Sequence, residues 1–261
     1  MGHDDLTGKV ALVTAGTAGV GLRIAEQLAA SGARVFVNGR TQSGGDAALK
    51  SLRAISPATE FAAGDVGDYA SIRSVIDAID SAHGKLDILV SAGAPGTPGP
   101  MPFADMTAEQ LVQGMTTRLY PRIFPVHAAI PALQKSGAGS VVMLTTDAAR
   151  HPTPGESIVG AAGAGVLLLT KALAKEFSKL AIRVNSVAMT ITSDTPSWDR
   201  VFGSESFQNK LFAKAVSRFP TGRPPNATEV ANMAVFLSSP RAAQITGQTV
   251  SVNGGLSFGG W

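Results

Sequence analysis

The feature that most constrains this chain is the stretch between residues 10 and 40, which reads VALVTAGTAGVGLRIAEQLAASGARVFVNGR. It begins with a short β-branched apolar run, which is typical of a strand buried on both faces of a parallel sheet. A glycine-rich turn then leads into a helical pattern that places Val20, Ile24 and Leu28 on one face, and Gly32 is positioned to end that helix. A second apolar strand follows. The stretch therefore predicts one βαβ unit.

The turn between this strand and helix predicts a site for a dinucleotide. A helix N-terminus offers unpaired N–H groups and the positive end of a dipole, both of which suit a pyrophosphate. Glycine lets the backbone approach the phosphates and lets the helix pack closely on the strand. The residues expected to form this part of the site are Gly16, Thr17, Gly19, Val20 and Gly21. A tight structural turn without a ligand is the alternative.

Length and composition favour one intracellular α/β domain over residues 1–261, with no linker and no internal repeat. The net charge is only +3 and the basic residues are scattered, which argues against a nucleic-acid surface. The chain has no cysteine, which excludes disulfides and thiolate metal sites, and no metal site is expected. The longest apolar stretch, Ile158 to Leu169, contains several glycines and is judged too short to span a bilayer. We expect a soluble, cytoplasmic protein that does not bind membranes.

Strand and helix signals alternate to the end of the chain, which predicts a doubly wound, Rossmann-type parallel sheet of seven strands. Pro121 and Pro125 fall inside one long helical pattern and predict a break near Leu119. Thr228 is the expected N-cap of a later helix. The polar and aromatic segment at about 190–217 is expected to form a lid.

Several local motifs resemble those of one family. They are Thr14 to Gly21, similar to TGxxxGxG but with Ala15 in place of its first glycine; Asp65-Val66; Ala92-Gly93, similar to the end of NNAG; Arg183 to Val187; Pro220 to Arg223; and Thr246 to Thr249. On these residues the chain is similar, over nearly its whole length, to the classical short-chain dehydrogenases/reductases. The resemblance implies the Rossmann fold and a nicotinamide dinucleotide, with Asp65 and Val66 at the adenine and Ala92 and Gly93 nearby.

The end of the second strand indicates which dinucleotide is expected. Family members that prefer NAD place an acidic residue there to bind the ribose 2′-hydroxyl, whereas this chain has Gly39 followed by Arg40. A guanidinium can bind a 2′-phosphate as a fork, which favours NADP(H) over NAD(H). The alternatives are a surface arginine without this role and a vestigial nucleotide site.

The positions of the family's catalytic residues are occupied by other residue types. Alignment places Val159 where the family has its tyrosine and Gly163 where it has its lysine. Thr146 stands at the serine position and Arg118 at the asparagine position. Neither of the chain's two tyrosines, Tyr69 and Tyr120, is expected near this helix. The sequence thus predicts that the standard proton-transfer machinery is absent.

Three hypotheses about function follow. The first is a non-catalytic structural or regulatory subunit of a heteromeric NAD(P)-dependent hydroxyacyl or alcohol dehydrogenase, since classical members are usually tetramers. Heteromeric members with one inactive subunit, including a dehydrogenase of aromatic succinyl-CoA compounds, are similar. The assembly would be a homotetramer or a heterotetramer with an active paralogue.

The second hypothesis is an active NADP(H)-dependent oxidoreductase with relocated acid–base groups. The candidates are Asp147, Arg150, His151 and Glu156, with Thr146 beside them and Arg118 opposite. The third hypothesis is a non-redox lyase or isomerase, or a nucleotide-binding sensor, in which Arg118 with Asp147 or His151 holds an anionic ligand. Solvated loop residues without a catalytic role are the structural alternative.

Overall fold

The computed structural model of the protein describes residues 5–93 and 96–258. Its centre is a seven-stranded sheet in which every pairing is parallel, in the order β3-β2-β1-β4-β5-β6-β7. This confirms the predicted Rossmann-type fold. The first two residues of the proline–glycine loop after the fourth strand, Ala94 and Pro95, lie outside the described residues.

Strands and helices alternate along most of the chain, and the longest connection, residues 92–107, joins β4 to α4. The strands are β1 Val10–Thr14, β2 Arg34–Gly39, β3 Glu60–Ala63, β4 Ile88–Ser91, β5 Gly139–Thr146, β6 Ile182–Met189 and β7 Thr249–Val252. The helices are α1 Gly19–Ala30, α2 Gln42–Ile55, α3 Tyr69–His83, α4 Ala108–Lys135, α5 Ser157–Glu176, α6 Pro196–Phe202, α7 Phe207–Val216 and α8 Ala227–Ser238.

The sheet is buried on both faces because successive side chains point to opposite sides of each strand. In β1, Ala11 and Val13 pack with α1, α2 and α8, whereas Val10 and Leu12 pack with α3, α4 and α5. All four residues are buried. This explains why the sequence of β1 is continuously apolar rather than alternating.

The strand order reverses direction between β3 and β4, so that β1 and β4 become neighbours. In open α/β sheets, ligands bind beyond the carboxyl ends of the strands at such a switch point. The glycine-rich turn after β1 and the residues after β4 and β5 therefore lie at one edge of the sheet.

The predicted break near Leu119 is wrong. The helix α4 continues from Ala108 to Lys135 although it contains Pro121, Pro125 and Pro131. A proline inside a helix costs about 3 kcal/mol because it removes one backbone hydrogen bond. Both Pro121 and Pro125 are buried, and α4 packs against α3, α5 and β4, so that tertiary packing offsets the local cost.

The predicted N-cap of α8 is also wrong, by two residues. Asn226 is the cap: its side-chain oxygen accepts a hydrogen bond from Glu229 N–H at 3.0 Å, and the Glu229 carboxylate accepts one from Asn226 N–H at 2.9 Å. This reciprocal capping box satisfies two N–H groups. Thr228 lies inside the helix.

The apolar stretch is longer than the expected Ile158 to Leu169. It runs over Ser157–Leu180 and comprises α5 and a short 3₁₀ turn. It has 24 residues and a mean hydropathy of 1.7, and is thus long and apolar enough to cross a membrane by length and composition. Core helices of globular proteins meet the same criterion. Here α5 packs on β5, β6 and α4, and its outward side carries exposed apolar residues, Leu168 among them.

Candidate functional site

A cleft of about 1780 Å³ lies at the carboxyl ends of the strands. It runs from the turn after β1 and the end of β2, past the residues after β4 and β5, to α6 and α7. A drug-sized ligand typically occupies a pocket of roughly 300–1,000 Å³. The cleft therefore has room for two ligands side by side.

The glycine turn after β1 forms a close-fitting cradle. A Cβ atom on Gly16 would lie 2.9 Å from the Val13 carbonyl oxygen, and one on Gly21 would lie 2.6 Å from the Ala15 carbonyl oxygen. Gly19 has a positive φ of 54° and faces Thr195 and Pro196. Thr17, Gly19, Val20 and Gly21 line the cleft. The first helical turn of α1 thus presents its N–H groups to the cleft, as an anion site requires.

The end of β2 supports the prediction of a 2′-phosphate site. A Cβ atom on Gly39 would lie 2.7 Å from the Thr17 methyl group, so that a larger side chain would displace Thr17. Arg40 is exposed and lines the cleft immediately beyond. Next to it, Oδ1 of Asn38 is buried and has no hydrogen-bond partner within the described part of the chain.

The residues expected at the adenine and along the middle of the cleft also line it. One carboxylate oxygen of Asp65 accepts a hydrogen bond from Gly67 N–H at 2.8 Å, and Val66 is buried. Ala92 N–H donates to the Thr14 hydroxyl at 3.2 Å. Gly93 has a φ of 73° and lies directly on a guanidinium.

That guanidinium belongs to Arg122, a residue that the sequence analysis missed. Its Nε donates to the Leu144 carbonyl at 2.7 Å and its Nη1 to the Arg118 carbonyl. Burial, and secondarily the charge of Arg118, lowers the pKa of Arg122 to about 10. The sequence could have indicated Arg122, because it lies four residues after Arg118 and therefore shares one face of α4 with it.

Arg118 is buried, and its guanidinium is engaged by backbone carbonyls. It donates to Gly114 at 3.1 Å, to Gly96 at 3.3 Å and to Pro98. Burial lowers the pKa of Arg118, while the charge of Glu156 acts to raise it. Arg118 lines the cleft as predicted, and it fixes the loop that follows β4.

Asp147 and Arg150 are tied to the C-terminal segment. The buried Asp147 carboxylate accepts hydrogen bonds from Ser251 Oγ at 2.8 Å, Ser257 Oγ at 3.0 Å and Asn253 Nδ2 at 2.5 Å. Arg150 donates to Ser251 Oγ at 3.0 Å. These contacts satisfy the Asp147 carboxylate and hold the Arg150 guanidinium, whose buried Nε has no partner in the described part of the chain, so that both side chains position the loop after β5.

The helix α5 lies unusually close to the end of β5. A Cβ atom on Gly160 would lie 2.5 Å from the Ala148 carbonyl oxygen, and one on Gly163 would lie 2.6 Å from the Thr146 methyl group. Thr146, Val159 and Gly163 all line the cleft. The Thr146 hydroxyl oxygen accepts a hydrogen bond from Ala148 N–H at 3.2 Å, which leaves its proton available for donation.

Glu156 and His151 are the candidates whose side chains remain uncommitted. Burial raises the pKa of the Glu156 carboxyl to about 7, although the charge of Arg118 acts to lower it. The carboxyl forms no hydrogen bond among residues 5–93 and 96–258. Nε2 of His151 is buried and likewise unpartnered there. Both residues line the cleft beside Thr146.

Tyr120 of α4 lines the same cleft as Val159. Its ring stacks on Phe124 with a centroid distance of 4.9 Å. Tyr69 lies elsewhere, with its hydroxyl 2.7 Å from Nδ1 of His127.

A parallel sheet of this order, with a glycine-rich turn at the switch point, defines an α/β protein of the Rossmann class. The sequence model of the family described as enoyl-(acyl carrier protein) reductase matches residues 14–257. A tropinone reductase homolog of Datura stramonium is 33% identical over 257 residues, covering 98% of this chain and 94% of its own. The human dehydrogenase/reductase SDR family member 4 is 32% identical over 257 residues, which cover 97% of this chain and 89% of the human protein. The chain belongs to the short-chain dehydrogenase/reductase family and is a homologue of its oxidoreductases.

A solved structure adds a relative with a bound cofactor. It is the NADPH-bound short chain oxidoreductase of Pseudomonas aeruginosa PAO1, which contains an atypical catalytic center. It superposes with a TM-score of 0.90 at 31% identity and covers 98% of this chain and 100% of its own.

Proposed function

We propose that this protein is an NADP(H)-dependent oxidoreductase in which Glu156 performs the proton transfer that the family assigns to tyrosine. The observation that carries the proposal is the Glu156 carboxyl itself. It lies in the cleft three residues before Val159, has no hydrogen-bond partner in the described ranges, and has a pKa raised to about 7 by burial. A general acid is most effective when its pKa lies near the working pH.

The residues present fit a dinucleotide. Gly19 and Gly21 line the cleft, and a Cβ atom at Gly21 would collide with the Ala15 carbonyl oxygen and disturb the turn. Asn38 also lines the cleft and offers a buried oxygen that has no partner in the described part of the chain. Arg40 would hold a 2′-phosphate. The presence of NADPH in the Pseudomonas relative supports this choice of cofactor.

Side chains of this protein carry out the proton transfer and stabilise the charge that develops on the substrate oxygen. When bound, the nicotinamide supplies or accepts a hydride at the substrate carbon. During carbonyl reduction, protonated Glu156 donates its proton to the substrate oxygen as negative charge develops there, and in alcohol oxidation its carboxylate accepts that proton. The Thr146 hydroxyl is placed to donate a hydrogen bond to the same oxygen. Arg118 and Arg122 add positive charge to the floor of the cleft.

The test is NADPH oxidation by the purified chain with a panel of ketones and β-ketoacyl thioesters. Glu156→Gln should lower kcat by about 100-fold or more while the Kd for NADPH stays unchanged. The reduction rate of the wild-type protein should fall as the pH rises through about 7, where the carboxyl loses its proton. The matched control is Glu205→Gln. Glu205 is an exposed glutamate between α6 and α7 that does not line the cleft. A Glu156→Gln protein as active as the control would refute the assignment.

A second function, as a non-catalytic subunit, is favoured by a different observation. The long helices α4 and α5 carry exposed apolar side chains, with Val112 66% and Leu168 70% exposed. Exposed apolar side chains on two helices that pack together are the kind of surface that an interface buries. Under this hypothesis the chain forms a tetramer with an active paralogue that has an intact Tyr-x-x-x-Lys motif. Native mass spectrometry of the protein isolated from its own cells distinguishes the two, since a mixed tetramer supports the subunit hypothesis and a pure homo-oligomer contradicts it.

A further inference from the structure

The helix α7 is seated on the two loops that flank Glu156. Its first residue, Phe207, packs on the loop before α5: a Cβ atom on Gly155 would lie 2.6 Å from the Phe207 ring. The next residue, Gln208, lies against Gly99 in the loop after β4. The beginning of α7 is therefore fixed beside the reacting groups, and the rest of the helix extends along the mouth of the cleft.

Three cations follow at a spacing of four residues, namely Lys210, Lys214 and Arg218, which we call the cation row. This spacing places the two lysines on one face of α7, and the arginine continues the row in the turn beyond the helix. All three are exposed and line the cleft, together with Leu211 and Ala215 between them.

The distribution of charge in the lid is one-sided. The acidic residues of the same segment, Asp194, Asp199 and Glu205, do not line the cleft. No member of the cation row forms an ion pair or a side-chain hydrogen bond among residues 5–93 and 96–258. The mouth of the cleft therefore presents positive charge that the described chain does not neutralise.

The cation row is separate from the expected position of the 2′-phosphate. Arg40 follows β2, whereas the lid follows β6, and the two strands are four positions apart in the sheet. At about 4.8 Å per strand this is roughly 19 Å. The cation row follows Phe207, which contacts Gly155 beside Glu156, and it lines a cleft with room for a second ligand.

We propose that the cation row binds an anionic tail, a phosphate or a carboxylate, on the substrate. This inference rests on the proposed function, since it names the substrate class of the same site. The substrate is then an acid or a phosphate-bearing thioester whose reacting carbon lies at Glu156 and whose charge lies at the mouth of the cleft. Lysine acts as a point charge and arginine as a fork for such groups.

The experiment measures binding rather than turnover, so that it succeeds or fails independently of Glu156. Coenzyme A, pantetheine and glutarate are titrated by calorimetry, with and without saturating NADP⁺. Coenzyme A carries phosphates and an adenosine that pantetheine lacks, and glutarate tests a carboxylate. The variant Lys210→Gln/Lys214→Gln/Arg218→Gln should weaken the binding of the anionic probe by about tenfold or more and leave pantetheine unchanged. The control Lys50→Gln/Arg53→Gln/Lys179→Gln removes the same charge from exposed positions outside the cleft.

The outcomes separate clearly. Selective loss of coenzyme A binding in the variant identifies a phosphate tail, and selective loss of glutarate binding identifies a carboxylate tail; each supports the proposal. Equal binding by the variant and the control overturns it, as does binding of neither anion. Coenzyme A that binds only by displacing NADP⁺ also overturns it, because its phosphates then occupy the nucleotide site.

Discussion

Ala15 occupies a backbone conformation that normally favours glycine. Its φ is 48°, and it stands where the family's motif has its first glycine. The left-handed conformation costs an L-residue about 1–2 kcal/mol, whereas glycine adopts it freely and loses roughly 0.5–1 kcal/mol in chain entropy. The nucleotide turn therefore stores strain at this one position.

We expect Ala15→Gly to raise the free energy of unfolding by about 0.5–1 kcal/mol, measured by urea denaturation. The control is Ala18→Gly in the same turn, because Ala18 has an extended backbone with φ −157° and gains nothing from glycine. Equal effects of the two substitutions would show that the strain at Ala15 is relieved elsewhere.

Arg40 gives a second prediction at this scale. Arg40→Ala should raise the Kd for NADPH by about tenfold and leave the Kd for NADH nearly unchanged, because only NADPH carries the 2′-phosphate. Fluorescence titration at low ionic strength measures both. Arg53→Ala removes an exposed charge from α2, away from the cleft, and should affect neither. An equal loss for both nucleotides would contradict the assignment.

The position of the glycine turn at the cleft could be predicted because the glycine motif is local in the sequence. The sequence could not show which side chains on the other side of the cleft are free to act on a substrate. Asp147, His151 and Glu156 are similar loop candidates in the sequence, yet the contacts of Asp147 with Ser251 and Asn253 join residues about a hundred positions apart. Only the fold shows which of the candidates remain uncommitted.

At the scale of elements, the close approach of α5 to β5 determines what the site can accommodate. Restoring the family's residues with Val159→Tyr/Gly163→Lys should lower the rate of ketone reduction rather than raise it above the wild-type rate. A Cβ atom at position 163 would lie 2.6 Å from the Thr146 methyl and 3.0 Å from Ala149 Cβ, so that the lysine stem forces the two elements apart. Overpacking of this kind costs about 1–3 kcal/mol, which thermal denaturation will detect.

The single variant Val159→Tyr is the control, since Val159 lines the cleft and is partly exposed. It should retain nearly the wild-type stability. A double variant that is stable and reduces ketones faster than the wild-type protein would show that α5 can move away from β5 without loss, and that the site is closer to the family's standard form than its packing indicates.

The elements also show where reasoning from sequence stops. The bounds of α3, Tyr69 to His83, can be predicted from its periodicity, because its apolar face and its cap are local. The break in α4 was predicted from the cost of Pro121 and Pro125, and the prediction failed because packing against neighbouring elements keeps α4 helical through both positions. For α8, Thr228 and Asn226 are both suitable caps by residue type, and only the reciprocal contact with Glu229 distinguishes them.

At the scale of the whole molecule, the cleft joins segments from both ends of the chain. The turn after β1 forms one end, and Leu256, Ser257 and Phe258 from the C-terminal segment line the cleft as well. Asp147 holds that segment against the loop that carries His151 and Glu156. The geometry of the substrate side thus depends on residues that the sequence places more than a hundred positions apart.

Assembly is the property of the whole molecule that α5 bears on most directly. Leu168 is 70% exposed on α5, and Val112 on the neighbouring α4 is 66% exposed. We propose that these side chains lie in an interface between copies of the chain, which would bury apolar surface worth about 25 cal/mol per Å². Leu168→Glu should then lower the mass measured by size-exclusion chromatography with light scattering to that of a smaller assembly.

Because Leu168 is exposed, Leu168→Glu should change the unfolding free energy of the individual chain by no more than about 0.5 kcal/mol. The control is Ile55→Glu, which introduces the same charge at an exposed apolar residue of α2, on the other face of the sheet, and should leave the mass unchanged. A wild-type monomer, or a Leu168→Glu protein of wild-type mass, would exclude α5 from the interface. The exposed apolar surface of this helix would then have to be explained by something other than assembly.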